Sequence, residues 1–447
     1  MLPDSLKNNL SKALPYLIGI SIPSVVIGPA VMGIILSISI VLLFCYPKQE
    51  KMFSFVKKSF SSPLTITLAI MLVFWFASSI FSIDPLRSLE KWLRTIVLII
   101  FSLFIYGRFA EEDHDRITAI KTMAITTALT TISLGILMIG QKLYLQGIVL
   151  FGGWIDWSRE SNSLCFFMHC DLLKYKDSAQ VLICLLPIII FSFKTASKRF
   201  RWLLLSSVPF IIWVALFTET KSAALGIICG VMFLAIWLLI KKTKEKYAPI
   251  LMLLLLISLV FSTISFIKLL PQDVELKNNP NGKREYNVPF NIIGEHRQII
   301  WSFSYDRFLQ RPWLGFGPDV SGDIPGAKET VKSWHPSKYE KENPNWTEKQ
   351  RNFWNQEYIP SHPHSWLFEL MVETGFLGLV VFLITLFHFF YTVFQKSLSR
   401  MALSLILLNG IYWSIGLVSF SFWSARWQIV YLLLTALLLS VQKEERE

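Results

Sequence analysis

The sequence is poor in charged residues and in cysteine, and both shortages narrow the kind of protein it can encode. Only 17% of its 447 residues are charged, whereas 53% are hydrophobic, and five are cysteines. A soluble fold would leave most of the apolar runs without a water-facing surface. Each run approaches the ~20 residues needed to cross the core of a bilayer. The composition therefore predicts an all-α integral membrane protein.

About twelve apolar runs are candidates for transmembrane helices, and no segment repeats with a period of 20–50 residues. No cleavable signal peptide is expected, because Pro23 and Pro29 interrupt the first run and no small-residue cleavage site follows it. The runs cover residues 14–28, 30–46, 63–82, 92–107, 117–141, 178–193, 202–218, 222–240, 248–269, 366–392, 402–420 and 427–441.

The formal net charge of +12 could indicate nucleic-acid binding, but the positions of the basic residues argue against it. Lys and Arg gather in alternate short loops, as expected for the cytoplasmic loops of a membrane protein, and this places both termini in the cytoplasm. The acidic loop 107–116 departs from the pattern, but acidic residues carry little weight in it. The basic positions are Lys48, Lys51, Lys57, Lys58, Lys194, Lys198, Arg199, Arg201, Lys241, Lys242, Lys244, Lys246, Lys396 and Arg400.

This topology divides the chain into three parts. Residues 1–269 hold the first nine helices, residues 270–365 form a long loop outside the cytoplasm, and residues 366–447 hold the last three helices. The long loop is rich in Pro, Asn and aromatic residues, which predicts irregular structure with short helices. Within it, EHRQIIWSFSYDRFLQRP predicts an amphipathic helix that stops before Pro312. The part of the chain outside the membrane is thus partly ordered.

Two of the cysteines, Cys165 and Cys170, fall in a second outer loop, from about residue 142 to residue 177. An oxidising compartment would permit a disulfide there. A metal site would need more ligands than this loop supplies, so none is predicted. The other three cysteines lie in or beside apolar runs and are expected to fill space between helices.

The stretch SHPHSWLFELMVETGFLG, residues 361–378, places two histidines where an apolar run begins. Pro363 suits the first position of a helix, because its missing N–H costs nothing there. Ser361 or His362 would then cap the helix and His364 would lie in its first turn, where the positive helix end keeps an imidazole neutral. A neutral imidazole can take a proton from a hydroxyl. The alternative is a capping histidine at the membrane interface.

Two glutamates follow on the same helix. Glu369 and Glu373 lie four residues apart, hence on one face, and charge at this depth usually faces a bundle interior or a water-filled cavity. Pairing with a cation is the structural alternative to a chemical role. Gly375 and Gly378 are expected to let another helix approach closely.

Cations gather at the predicted outer face, which the charge rule should leave poor in them. Lys221 begins one span, Arg297 lies four residues before Trp301 on the amphipathic helix, and Arg426 opens the last span. Arg94, in a helical row with Arg87 and Lys91, enters the membrane from the same side. Arg binds a pyrophosphate through paired N–H groups and Lys serves as a point charge. Contact with lipid headgroups is the alternative.

At this point the motifs resemble those of a known family, the bacterial O-antigen ligases. HS at 364–365, nine residues, and then GFLG at 375–378 fit its pattern His-[Asn/Ser/Gln]-x9-Gly-x-x-Gly. RQIIWSFSYDRFLQRPWLGFGPD resembles the Arg-x-x-x-Trp … Pro-x-x-Gly-x-Gly stretch of the wider superfamily of O-antigen ligases and polymerases. The motifs cover residues 297–378, and the predicted topology matches over the whole chain.

The resemblance implies a GT-C-type glycosyltransferase that needs no metal or other cofactor. Its donor would be a glycan linked to undecaprenyl pyrophosphate, and its acceptor a sugar hydroxyl of lipid A-core. The protein would lie in the bacterial inner membrane, among its lipids, with the active site facing the periplasm and no part in nucleic-acid binding.

The resemblance also gives roles to single residues. His364 would be the catalytic base, and Arg297 would hold the pyrophosphate with Lys221 and Arg94. Lys221 stands where the family usually has Arg, so it keeps the charge but loses the bidentate fork. The residues expected to support the site are His362, Trp301, Glu369 and Arg426.

Two other functions remain open from the sequence. A polysaccharide polymerase would use the same donor with a second lipid-linked glycan as acceptor. A multi-pass transporter could also have twelve spans with intramembrane charges. The missing internal repeat argues against a transporter, as does the position of the titratable residues at the membrane edge.

Overall fold

The structure is a computed structural model that describes residues 9–46, 49–60, 62–145, 175–218, 221–242, 294–330, 355–394 and 399–441, with isolated positions between 243 and 293. Within these ranges the elements are helical, apart from one isolated β-bridge between Thr330 and Glu357. The prediction of an all-α protein is therefore confirmed. The run 248–269 and the cysteines Cys165 and Cys170 lie outside the described residues.

Fourteen α-helices are described, and they are numbered here in chain order. They are α1 Leu14–Ser21, α2 Pro29–Leu43, α3 Gln49–Phe60, α4 Pro63–Ile80, α5 Pro85–Glu111, α6 Asp113–Leu145, α7 Lys176–Cys184, α8 Leu186–Phe193, α9 Lys198–Phe217, α10 Lys221–Lys242, α11 Glu295–Gln310, α12 Trp366–Phe394, α13 Arg400–Gly416 and α14 Ala425–Ser440.

Several of these helices are long and apolar enough to cross a membrane, so the prediction of a multi-pass membrane protein is confirmed. Among the described residues seven segments meet this criterion, and α2 and α14 are shorter apolar helices. The number of twelve spans stays a prediction. The candidate spans are Pro63–Ile80, Pro85–Glu111, Asp113–Gly140, Lys176–Phe193, Lys198–Phe217, Lys221–Ile240 and Trp366–Val393.

The helices pack into one bundle that brings distant parts of the chain together. α10 packs along α13, α12 along α4, α14 along α5, and both α1 and α9 along α6. The helix α11 lies against α12, and it ends before Pro312, as the sequence predicts. The start of α12 therefore lies among elements from three regions of the sequence.

Helix α12 is broken at Gly375, which has φ +67° and ψ −171°. The expectation that Gly375 admits a neighbouring helix is wrong, because the backbone that follows α11 enters the break instead. The N–H of Phe376 donates to the carbonyl of Pro312 at 2.6 Å, and the N–H of Leu377 donates to that of Trp313 at 3.2 Å. These bonds satisfy two donors that the break releases from the helix.

The same segment also bonds to the helix on the other side of the break. The N–H of Phe316 donates to the carbonyl of Val372 at 3.0 Å, and the N–H of Gly317 donates to that of Glu373 at 2.8 Å. Gly315, with φ +69°, passes so close to the backbone of Glu373 that a side chain would overlap it. PWLGFGPD and GFLG, which are separate motifs in the sequence, thus form one hydrogen-bonded unit.

Replacing Gly375 with alanine is expected to destabilise this unit. A residue with a side chain costs about 1–3 kcal/mol at such a backbone conformation, and the new Cβ would also overlap the backbone of Trp313. Thermal unfolding in detergent measures the loss. Gly33→Ala on α2, where a Cβ meets nothing within 4 Å, is the matched control and should unfold at the wild-type temperature or slightly above it, because alanine favours a helix interior over glycine. Equal unfolding temperatures for both variants would show that the break tolerates a side chain.

Candidate functional site

His364 lies before α12 and not in its first turn. The helix begins at Trp366, and His364 has a left-handed backbone with φ +56°. The prediction that Pro363 opens the helix is therefore wrong. The physical reason is that two side chains bind the peptide group between Pro363 and His364: His362 accepts its N–H, and Trp301 donates to its carbonyl.

The His364 ring is held by the loop that follows α13. Its Nδ1 lies 3.1 Å from the backbone carbonyl of Ser419. A carbonyl can only accept a hydrogen bond, so Nδ1 carries the proton of the neutral ring. The lone pair is then on Nε2, which is the atom able to take a proton from a substrate.

The surroundings of His364 favour the neutral ring. Burial lowers the pKa of His364 below its ordinary value, and the nearby positive charges of Arg297, Lys176 and His296 lower it further, against the opposing hydrogen bond to Ser419. The direction agrees with the predicted neutral imidazole. The cause differs, because burial and neighbouring cations act here where the sequence suggested the end of a helix.

His362 packs against His364 with its ring edge-on, at 4.2 Å between ring centroids. Its Nδ1 accepts the N–H of His364 at 3.0 Å, so the proton of its own ring is on Nε2. Burial lowers the pKa of His362 to about 3, with smaller contributions from His364 and Lys176. His362 is thus a neutral ring at every pH near 7.

Trp301 connects α11 to the histidines. Its indole N–H donates to the carbonyl of Pro363 at 2.9 Å, and its ring stacks on Phe368 at 5.3 Å with an interplanar angle of 8°. Trp301, which is expected to support the site, thus contacts both the turn that carries His364 and the first turn of α12. Because α11 is fixed in this way, Arg297 one turn earlier is fixed with it.

Arg297 is partly buried, and burial lowers its pKa. Within the described part of the chain it forms no hydrogen bond and no ion pair, although its charge reaches the ring of His364. Such a charge needs an anion to compensate its loss of hydration. Arg297 is therefore a partly buried cation that acts on His364 and has no anionic partner among the described residues.

Lys176, which the sequence analysis does not single out, is a second cation of this kind. It is the first residue of α7, is half-buried, and acts on the pKa values of both His362 and His364. Among the described residues it forms no ion pair, and the neighbouring Asp177 is bound to Arg426. The signal in the sequence is the cation at the start of the run 178–193, where the loop enters the membrane.

The other predicted cations differ in their surroundings. Arg94 donates to the carbonyl of Trp423 and lies 4.0 Å from Glu90, while Arg426 is paired with Asp177. These two guanidinium groups therefore already have protein partners. In the same way Arg87 and Lys91 bind the carboxylate of Asp319 at 3.3 and 3.4 Å.

Lys221 is the exposed first residue of α10. The next residue, Ser222, accepts a hydrogen bond from the buried amide of Gln180 at 2.7 Å, and the same amide donates to the hydroxyl of Ser419 at 2.7 Å. Ser419 also holds His364. Hydrogen bonds therefore connect Ser222, at the start of α10, through Gln180 and Ser419 to His364.

Glu369 binds the loop that carries Ser419. Its carboxylate accepts the hydroxyl of Ser421 at 2.6 Å and the N–H of Phe422 at 2.7 Å, and its side chain is fully buried. Among the described residues no cation pairs with it, and hydrogen bonds to the loop stand where the structural alternative had an ion pair. Glu369 thereby fixes the loop whose Ser419 carbonyl lies 3.1 Å from Nδ1 of His364.

Glu373 does the same for the segment that follows α11. It accepts the N–H groups of Asp319 and Ser321 at 2.8 and 2.9 Å, and also the indole N–H of Trp423. Backbone and indole N–H groups, and no cation among the described residues, are thus the partners of Glu373 as well. The two glutamates clamp both loops onto the first half of α12.

No three His, Cys, Asp or Glu residues come together as metal ligands in the ranges that the structure describes. Metal independence stays a prediction. The described site brings together a histidine whose neutral form is favoured and two cations, Arg297 and Lys176, that form no ion pair among the described residues.

Comparison with known proteins matches residues 207–383 to the family described as O-antigen ligase. A relative from Rickettsia felis, named "Putative polysaccharide ligase", is 22% identical over 81% of this chain and 77% of its own length. Relatives of the same description from Rickettsia conorii and Rickettsia typhi are 23% and 22% identical over 40% and 48% of this chain, and these alignments cover 38% and 46% of the relatives. The resemblance to O-antigen ligases that the motifs indicate is thereby confirmed, over a region that includes both Arg297 and His364.

Proposed function

We propose that this protein transfers a polysaccharide from undecaprenyl pyrophosphate to a sugar hydroxyl of lipid A-core, at the periplasmic face of the bacterial inner membrane. The observation that carries the proposal is the contact of Nδ1 of His364 with the Ser419 carbonyl, which leaves the lone pair of the neutral ring on Nε2. Two cations that form no ion pair among the described residues, Arg297 and Lys176, act on this ring. A base next to an anion-binding site is what transfer from a diphosphate donor requires.

The reaction is a single displacement in which each group has one task. The hydroxyl of the acceptor sugar gives its proton to Nε2 of His364 while its oxygen bonds to the anomeric carbon of the donor. The bond from that carbon to the diphosphate oxygen breaks, and undecaprenyl pyrophosphate leaves with the electron pair. Attack from the side opposite the leaving group inverts the configuration at the anomeric carbon.

The leaving diphosphate gains negative charge as the bond breaks. Arg297 and Lys221 stabilise it in the proposed site, with Lys176 added from the structure, and such fixed charges act strongly in a water-poor site. Arg94 has protein partners already, so in this proposal it shapes the site next to the other cations. These side chains supply the positive charge that a GT-C-type enzyme without metal needs.

Deletion of the gene, followed by analysis of the lipopolysaccharide, tests the proposal. A ligase mutant makes bare core and accumulates long chains on the lipid carrier. Core that carries a single repeat would instead identify a polymerase, and unchanged lipopolysaccharide would favour a transporter; either result would overturn the proposal.

A further inference from the structure

The turn before α12 contains a second histidine, His362, to which the proposed reaction assigns no step. We propose that His362 is a positioning residue, whose Nδ1 holds the backbone of His364 in the left-handed conformation that presents its Nε2 to the substrate. This inference rests on the proposed function of His364 as the base.

The first support is the geometry of the turn. A left-handed backbone is uncommon for a residue with a side chain, yet His364 adopts it with φ +56°. The hydrogen bond from its N–H to Nδ1 of His362 joins residues two apart, which is the pattern of an Asx turn made with an imidazole. Trp301 fixes the peptide between the two histidines through the carbonyl of Pro363.

The second support is that the hydrogen-bond acceptor in this turn carries no charge. An aspartate is a common acceptor in such turns, but a carboxylate beside His364 would favour the protonated ring and weaken the base. Burial keeps His362 neutral, with its pKa lowered to about 3. The imidazole therefore accepts the N–H without adding a charge to the site.

Substitutions at position 362 separate the hydrogen bond from the charge. His362→Asn keeps an acceptor that reaches the N–H of His364, so transfer should stay within several-fold of the wild type. His362→Phe keeps an aromatic ring but no acceptor, and should lower kcat by about 10²-fold, the scale of a misplaced catalytic group, with little change in donor KM. His388→Asn, far along α12 from the site, is the matched control and should leave transfer unchanged.

His362→Asp keeps the turn and adds a negative charge. Because that charge raises the pKa of His364, the acidic limb of the pH–rate profile should move to higher pH than in His362→Asn. The other charged or titratable groups that act on His364 are Arg297, Lys176 and His296, and these are the same in both variants. The comparison therefore isolates the charge at position 362.

A chemical readout makes the test independent of transfer. Diethyl pyrocarbonate acylates the neutral imidazole, so the pH dependence of its reaction with His364, followed by mass spectrometry, reports the pKa of that ring. The reaction should be half-maximal at higher pH in His362→Asp than in His362→Asn.

Two results would overturn the positioning role. One is loss of transfer in a folded His362→Asn variant to the level of His362→Phe, and the other is the same pH dependence of acylation in the Asn and Asp variants. A wild-type protein that transfers no glycan from a diphosphate donor, but shows the expected shift in acylation, would refute the proposed function and leave the turn intact.

Discussion

Replacing His364 with asparagine is expected to reduce glycan transfer by about 10²- to 10⁴-fold, the usual contribution of a general base. Asparagine tolerates a left-handed backbone better than most residues, so the turn before α12 should survive. Its amide cannot take a proton from the acceptor hydroxyl, so only the base is removed. Transfer by the purified protein, from a diphosphate-linked donor to a lipid A-core acceptor, measures the effect.

Asparagine is a sharper substitution than alanine at this position. His364→Ala removes the base and also places a residue with a lower left-handed preference at φ +56°, so a fall in activity could come from either cause. The two variants should unfold at different temperatures and be equally inactive. Wild-type transfer in folded His364→Asn would end the assignment of His364 as the base.

The helices could be predicted from the sequence, because they depend on local features. Apolar length identifies a membrane helix wherever it occurs, and Pro312 ends α11 by its own sterics. The surroundings of His364 lower its pKa and so favour the expected neutral ring, although the cause is burial and neighbouring cations and not the end of a helix. Burial lowers the pKa of an imidazole whether the histidine lies in a helix or in a turn.

The break in α12 could not be predicted, because its cause is 60 residues away in the sequence. Gly375 looks like a packing glycine until the backbone of Pro312 and Trp313 is placed beside it. A sequence pattern shows the spacing of residues along one helix. The conformation of Gly375 instead depends on hydrogen bonds from the residues that follow it to the carbonyl groups of another segment. The only local signal was the recurrence of closely spaced glycines in both motifs.

The partners of the buried glutamates were missed for a related reason. A carboxylate in a membrane helix suggests a cation, and cations are easily seen in a sequence. The groups that satisfy Glu369 and Glu373 are mainly backbone N–H groups of loops, which every residue except proline carries. Sequence composition gives no indication of which N–H groups a fold will gather around a carboxylate.

Arg297→Ala is expected to lower transfer by about 10²-fold, the scale on which removing one fixed donor at a developing negative charge acts. The donor KM should rise and kcat should fall, because Arg297 would bind the diphosphate before the bond breaks and stabilise it more strongly afterwards. Arg199→Ala, at an exposed position at the opposite end of the bundle, is the matched control and should retain full transfer.

Arg297→Lys distinguishes the guanidinium fork from simple charge. An ammonium keeps the charge but cannot form paired hydrogen bonds to a phosphate. It also loses its proton more readily when buried, and Lys176 is a neighbouring cation that would favour this loss. We therefore expect partial rescue that declines as the pH rises from 7 to 9, because fewer of the variant molecules then carry the charge.

The pH dependence of the rescue decides between the two roles. Full rescue at every pH would show that a point charge suffices at position 297 and that bidentate binding contributes nothing. Retention of wild-type donor KM and kcat in Arg297→Ala would remove the guanidinium from the donor site altogether. In that case Lys176, which acts on His364 and forms no ion pair among the described residues, would be the cation left to meet the diphosphate.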